Sequence, residues 1–186
     1  FGLVLGAAVC ALRLSPLPVL ANLGSLYVSF FRGVPLLVQL LVIFYLLPRI
    51  GIDLPPWAAA IAALALCSGA YIAEILRGGL SAVPGGQAEA AKVLGLAGWD
   101  TWLRILLPQA LRISLPSLIN ELILLLKASS LISVVGIAEL TRASQNIAAS
   151  SFRPLEIYLA AAVFYLAMNL VLSTAGGWVE RRLAES

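Results

Sequence analysis

The sequence predicts an all-α membrane protein, and three observations carry that prediction. Of its 186 residues 61% are hydrophobic and only 11% charged, where a soluble domain carries about a quarter charged residues to hold its surface in water. Mean hydropathy is +1.01. The apolar residues gather in runs of about 20, the length that crosses a hydrocarbon layer of roughly 30 Å as a helix. None of these runs alternates as a strand would, and the periodicity of a membrane barrel is absent.

The same composition excludes other classes. The net charge of +3 comes from basic residues scattered between apolar runs, with no stripe of the kind that follows a nucleic acid; in a membrane chain such residues set orientation. There is no histidine, which removes His-dependent zinc sites and Ser-His or Cys-His catalysis. The two cysteines, Cys10 and Cys67, both lie inside apolar runs and read as small buried residues, with no metal or disulfide implied.

Five apolar segments follow in order within one domain, residues 1–186. Phe1 to about Leu14, ending at Arg13, is too short to cross unaided and reads as the second half of a first membrane helix. Pro18 to Leu47 is longer than one crossing needs, and Arg32-Gly33-Val34-Pro35 interrupts it; the proline lacks a backbone donor and invites a kink. Trp57–Leu76, Ile113–Val135 and Leu155–Val179 complete the set. Pro48–Pro56 is a short loop between breakers. Residues 78–111 form the longest hydrophilic stretch. Residues 136–154 form a polar connector with room for a short helix over Ile137–Asn146. Gly2, Gly6, Ser68 and Gly69 suit close helix packing.

Orientation follows from Lys and Arg. Arg13, Arg77, Lys92, Arg104, Arg112, Arg181 and Arg182 fall on one side; Arg49, Arg142 and Arg153 fall on the other. The positive-inside bias then predicts that the 78–111 loop and the C-terminus are cytoplasmic.

That loop is the most informative part of the chain. It reads Glu89-Ala90-Ala91, three residues, Gly95, nine residues, Ile105-Leu106-Leu107-Pro108. Pro84 suits a first helical turn, Gln87–Leu94 are good helix formers, and Gly95 suits a left-handed C-terminal cap. A second helix is predicted over Trp99–Leu106, ending before Pro108. Ala88, Ala90, Ala91 and Gly95 remove bulk, so a partner can approach closely; Glu89 and Lys92 can pair with each other or with that partner. Trp99 and Trp102 suit the headgroup level.

The pattern resembles the EAA signature of permease subunits of binding-protein-dependent ABC importers. Within that family, Phe31-Arg32-Gly33-Val34-Pro35-Leu36-Leu37-Val38-Gln39, Ala70–Gly79 and Leu125–Leu131 are similar to the polar amino-acid branch. The resemblance covers nearly the whole chain. It implies the type I importer core of five transmembrane helices, the first truncated here, with two short cytoplasmic coupling helices. It implies a bacterial inner-membrane location, a second permease copy or paralogue, two ATPase subunits that bind ATP and Mg, and an extracytoplasmic amino-acid-binding protein. It assigns coupling to the ATPase to Gln87, Glu89, Ala90, Ala91, Gly95, Ile105, Leu107 and Pro108. This chain carries no Gly-rich phosphate loop and is expected to bind no cofactor itself. Two positions depart from the family pattern. Ala128 stands where an acidic residue is common, and Gly98 stands where Ser or Thr often caps the second loop helix, a change of only a few tenths of a kcal/mol.

Ionisable groups within apolar spans are costly, about 2.5–3.5 kcal/mol on insertion scales, and are default functional candidates. Glu121 sits mid-span beside Asn120. Lys127, seven residues from Asn120, shares its helix face. Gln39 and Tyr71 are placed to line the same space, and together these five are the candidate pathway residues. The competing reading is that polar groups tie helices together, as Arg32 with Glu121 or Glu74 with Arg77 one turn away. For Glu74 and Arg77 the structural role is favoured; for the residues of the fourth span the two readings stand level. An ion-gradient-driven secondary transporter or channel is the alternative function, although paired discontinuous repeats are not visible. An intramembrane enzyme lacks any nucleophile in a recognisable setting.

Overall fold

A computed structural model describes residues 1–184. Among these, all regular structure is helical. The helices are α1 (Gly2–Arg13), α2 (Pro18–Gly33), α3 (Leu36–Leu46), α4 (Pro56–Ser81), α5 (Gly86–Val93), α6 (Gly98–Thr101), α7 (Leu107–Ala128), α8 (Leu140–Ser151) and α9 (Pro154–Ala184). Three stretches are long and apolar enough to cross a membrane: Pro56–Ser81, Gly98–Val135 and Pro154–Arg182. The bent pair α2–α3 supplies a fourth crossing if counted as one span, and α1 is a shorter apolar helix of 12 residues.

The centre of the bundle is α4, and its alanines explain why. Ala59, Ala63, Ala70 and Ala73 are fully buried, which lets neighbouring helices approach its backbone. Helix α1 lies along α4 in the most extensive helix pairing of the fold. A side-chain carbon on Gly2 would strike Ser68, and one on Gly6 would lie 2.6 Å from Ile72 Cγ2 and 3.0 Å from the Gly69 carbonyl. The small residues predicted to pack do so. Val9, Cys10, Val28 and Ala73 form one core cluster where α1, α2 and α4 meet, while Leu40, Ala60, Ala63 and Val135 form a second where α3 and the end of the fourth segment pack on α4. Tyr27 crosses from α2 and donates to the Leu66 carbonyl at 2.6 Å.

The interruption at Arg32–Pro35 is more than a kink: α2 and α3, the latter extended by a 3₁₀ turn to Ile50, turn through 102°. Pro35 has no N–H for the Phe31 carbonyl four residues back. Gln39 takes that place, its amide nitrogen donating to Phe31 O at 2.9 Å and to Val34 O at 2.7 Å. A break in a membrane helix survives only where such groups are satisfied again.

The fourth segment also differs from its predicted form. Pro108 does not end the second loop helix. Helix α6 runs through a π-turn over Trp102–Leu106, closed by Leu107 N–H to Trp102 O, directly into α7. A π-turn inside a helix accommodates local crowding of this kind, and Pro108 falls within the first positions of α7. The helix turns 3₁₀ over Ser129–Val135 and stops at Gly136, whose φ is +84°. The connector helix α8 lies later than predicted. Glu139 is its cap, accepting from Thr141 N at 2.8 Å and Arg142 N at 2.6 Å. Tyr165 of α9 donates to Glu139 Oε2 at 3.0 Å and stands 2.9 Å from Thr141 Oγ1, fastening α8 to α9.

Candidate functional site: a charged cavity and an exposed loop

Two regions carry the polar chemistry. The first is a cavity of about 430 Å³ between the helix break, α4 and α7. Arg32, Gly33 and Pro35 form one wall, Ser68 and Tyr71 a second, Glu121 and Leu125 a third. The Arg32 guanidinium lies 5.3 Å from the centroid of the Tyr71 ring, an arrangement worth about 0.5–2 kcal/mol according to desolvation. Glu121 is 9% exposed, and among the described residues it makes no ion pair. The Arg32–Glu121 bridge offered by the competing reading is therefore not formed among the described residues. The guanidinium and the carboxyl group instead line one space without pairing.

The candidate pathway residues divide. Tyr71 and Glu121 line the cavity. Gln39 does not: it is 4% exposed and locks the helix break. Asn120 and Lys127 are exposed on the chain surface and do not line the cavity. Arg32 and Ser68 border the cavity although neither is among the candidate pathway residues; Ser68 also packs against Gly2. Cys67 lies in the wall as a free thiol.

Just beyond, Glu74 pairs with Arg77 at 2.5 Å, as the one-turn spacing predicted. Arg13 of α1 joins the same carboxylate. Two guanidiniums on one partly buried carboxylate tie the ends of α1 and α4.

The second region is the 78–111 loop. Helix α5 starts at Gly86, two residues after Pro84, whose carbonyl accepts from Gln87 N at 3.0 Å. Its end is a Schellman motif: Gly95 (φ +73°) donates to Lys92 O, and Leu96 donates to Ala91 O, each at 3.0 Å. The small residues of the motif serve different ends. Ala91 is 1% exposed and packs within the loop, whereas Glu89, Ala90 and Lys92 face outward. Glu89 and Lys92 form no ion pair among the described residues. Gln87 is exposed and meets Gln109 of α7 at 3.4 Å, bracing α5 on α7. Ile105 and Leu107 are half-buried and Pro108 exposed, all within the continuous α6–α7 helix. Val93, Leu94 and Trp99 were not singled out by the motif, yet they are the most exposed apolar side chains of the loop, 87%, 78% and 69%. Apolar surface held out in this way marks a contact site. The rings of Trp99 and Trp102 stack at 6.1 Å.

Comparison with known proteins adds three findings. The sequence matches the family described as binding-protein-dependent transport system inner membrane component over residues 2–185. It is 42% identical over 184 residues to the glutamine transport system permease protein GlnP of Escherichia coli, covering 98% of this chain and 84% of that one. It is 40% identical over 188 residues to a probable amino-acid ABC transporter permease protein, PatM, of Vibrio harveyi, covering 98% and 83%. Among solved structures it superposes on a chain of an amino acid ABC transporter crystallised with histidines, with TM-score 0.92, 39% identity and coverage of 97% and 85%. It also matches the fold of a chain of the MetNI methionine ABC transporter, with TM-score 0.81 at 23% identity over 98% and 87%.

Proposed function

The chain belongs to the family of binding-protein-dependent transport system inner membrane components, and from that premise we propose that it is the membrane-spanning subunit of an ATP-driven importer of amino acids. It is a multi-pass inner-membrane protein of the type I importer fold. The observation that carries the amino-acid reading is the cavity with Arg32, Tyr71 and Glu121 on its three walls. A zwitterion needs an acceptor for its ammonium and a donor for its carboxylate, and Glu121 and Arg32 offer one of each.

In this reading two permeases, identical or paralogous, form the pathway. Asn120 and Lys127 support the pairing, because polar side chains exposed on a membrane helix require cover. The 78–111 loop is cytoplasmic and docks on an ATPase that binds ATP and Mg, through Glu89, Ala90 and the projecting Val93 and Leu94. Closure of the ATPases moves the loop, and α6 carries that motion into α7 and Glu121. An extracytoplasmic binding protein delivers the amino acid. The alternative, an ion-gradient-driven carrier or channel, leaves the exposed loop apolar surface without a task.

The test is transport by the complex reconstituted with its ATPase and binding protein, over a panel of amino acids. Uptake should require ATP hydrolysis. Glu121→Gln should lower uptake at least tenfold, the effect of about 1.4 kcal/mol lost from a charge-assisted contact, with assembly intact. Uptake driven by an ion gradient without ATP refutes the reading.

A further inference from the structure

The cavity between the helix break, α4 and α7 has a short list of charged groups. Among its lining residues Arg32 is the only Lys or Arg, and Glu121 the only Asp or Glu. Neither makes an ion pair among the described residues. The Arg32 guanidinium lies over the Tyr71 ring, and contact with a ring face leaves the N–H donors of its edge for a carboxylate.

The rest of the lining is neutral. Glu121, Leu124, Leu125 and Ala128 all line the cavity, and their spacing is that of one helix face. The α7 wall is therefore apolar for the two turns beyond Glu121. Val34, Pro35 and Leu36 make the break apolar as well. Helix α4 contributes Cys67, Ser68 and Tyr71, whose thiol and hydroxyls exchange hydrogen bonds without carrying a formal charge.

An amino acid held by its ammonium at Glu121 and its carboxylate at Arg32 uses both groups at its α-carbon. Its side chain then lies among apolar surface and neutral hydrogen-bonding groups. A charge on that side chain would leave water with no counter-charge to meet it, which costs far more than a missing neutral hydrogen bond. The volume of about 430 Å³ is ordinary for a small-ligand site. Leucine, glutamine, lysine and glutamate, of similar bulk, would be separated there by charge more than by fit.

We propose that this cavity selects amino acids whose side chains are uncharged, apolar or hydrogen-bonding, and rejects those with cationic or anionic side chains. The inference rests on the zwitterion site given under Proposed function.

A binding protein would impose its own choice, so the test omits it. The permease–ATPase complex in nanodiscs is dialysed to equilibrium against radiolabelled leucine, glutamine, lysine or glutamate. Leucine and glutamine should bind at least about tenfold tighter than lysine and glutamate. Lysine or glutamate bound as tightly as glutamine overturns the inference and leaves the zwitterion site standing. Binding of none of them, or binding that Glu121→Gln leaves unchanged, refutes the zwitterion site and the inference with it.

A gain of binding gives a second measurement. Ala128→Asp adds a carboxylate two turns beyond Glu121 on the same face, leaning back toward it as helical side chains do. It should raise lysine binding relative to glutamine by roughly fivefold or more. Ala128→Asn, the same shape without the charge, should not. An unchanged ratio of lysine to glutamine in an assembled Ala128→Asp complex overturns the inference. If that variant does not assemble, the wild-type ranking decides.

Discussion

Adjacent glycines near the end of α4 should respond to the same substitution with different magnitudes. Gly78 has nothing within 4 Å of the position a side-chain carbon would take. Gly79 faces α7: the same atom there would strike Ser114 Oγ and lie 2.7 Å from the Ala110 carbonyl oxygen and 3.2 Å from Ser114 Cβ. Ordinary contact begins near 3.4 Å, so the Ala110 backbone must retreat by about 0.7 Å. Backbone cannot yield by a rotamer change, and Ser114 is itself held, donating to Ile75 O at 3.4 Å. Alanine in place of a helical glycine gains about 0.5–1 kcal/mol at either position. That gain cancels in the difference between Gly78→Ala and Gly79→Ala, leaving the overpacking cost, about 1–3 kcal/mol. The Gly79 variant should therefore be less stable than the Gly78 variant by roughly fivefold or more in folded-to-unfolded ratio. Denaturant titration of the purified chain in mixed micelles, followed by tryptophan fluorescence, measures this. Equal stability of the two variants refutes the close approach of α4 and α7 at this point.

Other perturbations address other joints. Gln39→Leu strands the Val34 carbonyl at the helix break and leaves Phe31 O only the long contact from the Cys67 thiol at 3.9 Å; it should cost about 1–3 kcal/mol, read in the same titration. Tyr165→Phe removes the hydroxyl that meets Glu139 and Thr141; it should cost about 0.5–1.5 kcal/mol and speed amide exchange in the first turn of α8, with α4 unchanged. In a complex assembled from two copies of this chain, each with Cys10 and Cys67 replaced by Ser, Asn120→Cys should form a disulfide between the copies; a purely monomeric product on oxidation shows that the Asn120 face is not their pairing surface.

Features set by a few neighbouring residues were legible in the sequence. The break at Gly33–Pro35 follows from one missing donor. The Gly95 cap follows from the need for a positive φ, and the Glu74–Arg77 pair from a one-turn spacing. What escaped was rotational. Helix α3 is apolar on every other side, so its pattern does not say which way Gln39 points, and Gln39 turned out to satisfy the carbonyls of the break and of the end of α2. Asn120 and Lys127 share a face as predicted, but only the packing of α7 against α4 shows that both are exposed while Glu121, one position after Asn120, is buried beside the cavity. Arg13 lies 61 positions from Glu74, beyond the reach of any local spacing rule. The motif residues Ala90 and Ala91 are identical in composition and differ only in the direction each faces.

The passage of α6 into α7 through the π-turn has a geometric consequence. From Gly98 to Glu121 the helix runs about 35 Å at 1.5 Å per residue. If it moves as one rod, a tilt of about 10° at the loop displaces the carboxylate by about 6 Å, more than the length of a hydrogen bond to whatever Glu121 holds. A small rotation at the loop end would then be enough to make or break the grip at the other, and the five residues of the π-turn are where any slippage between the two would be taken up.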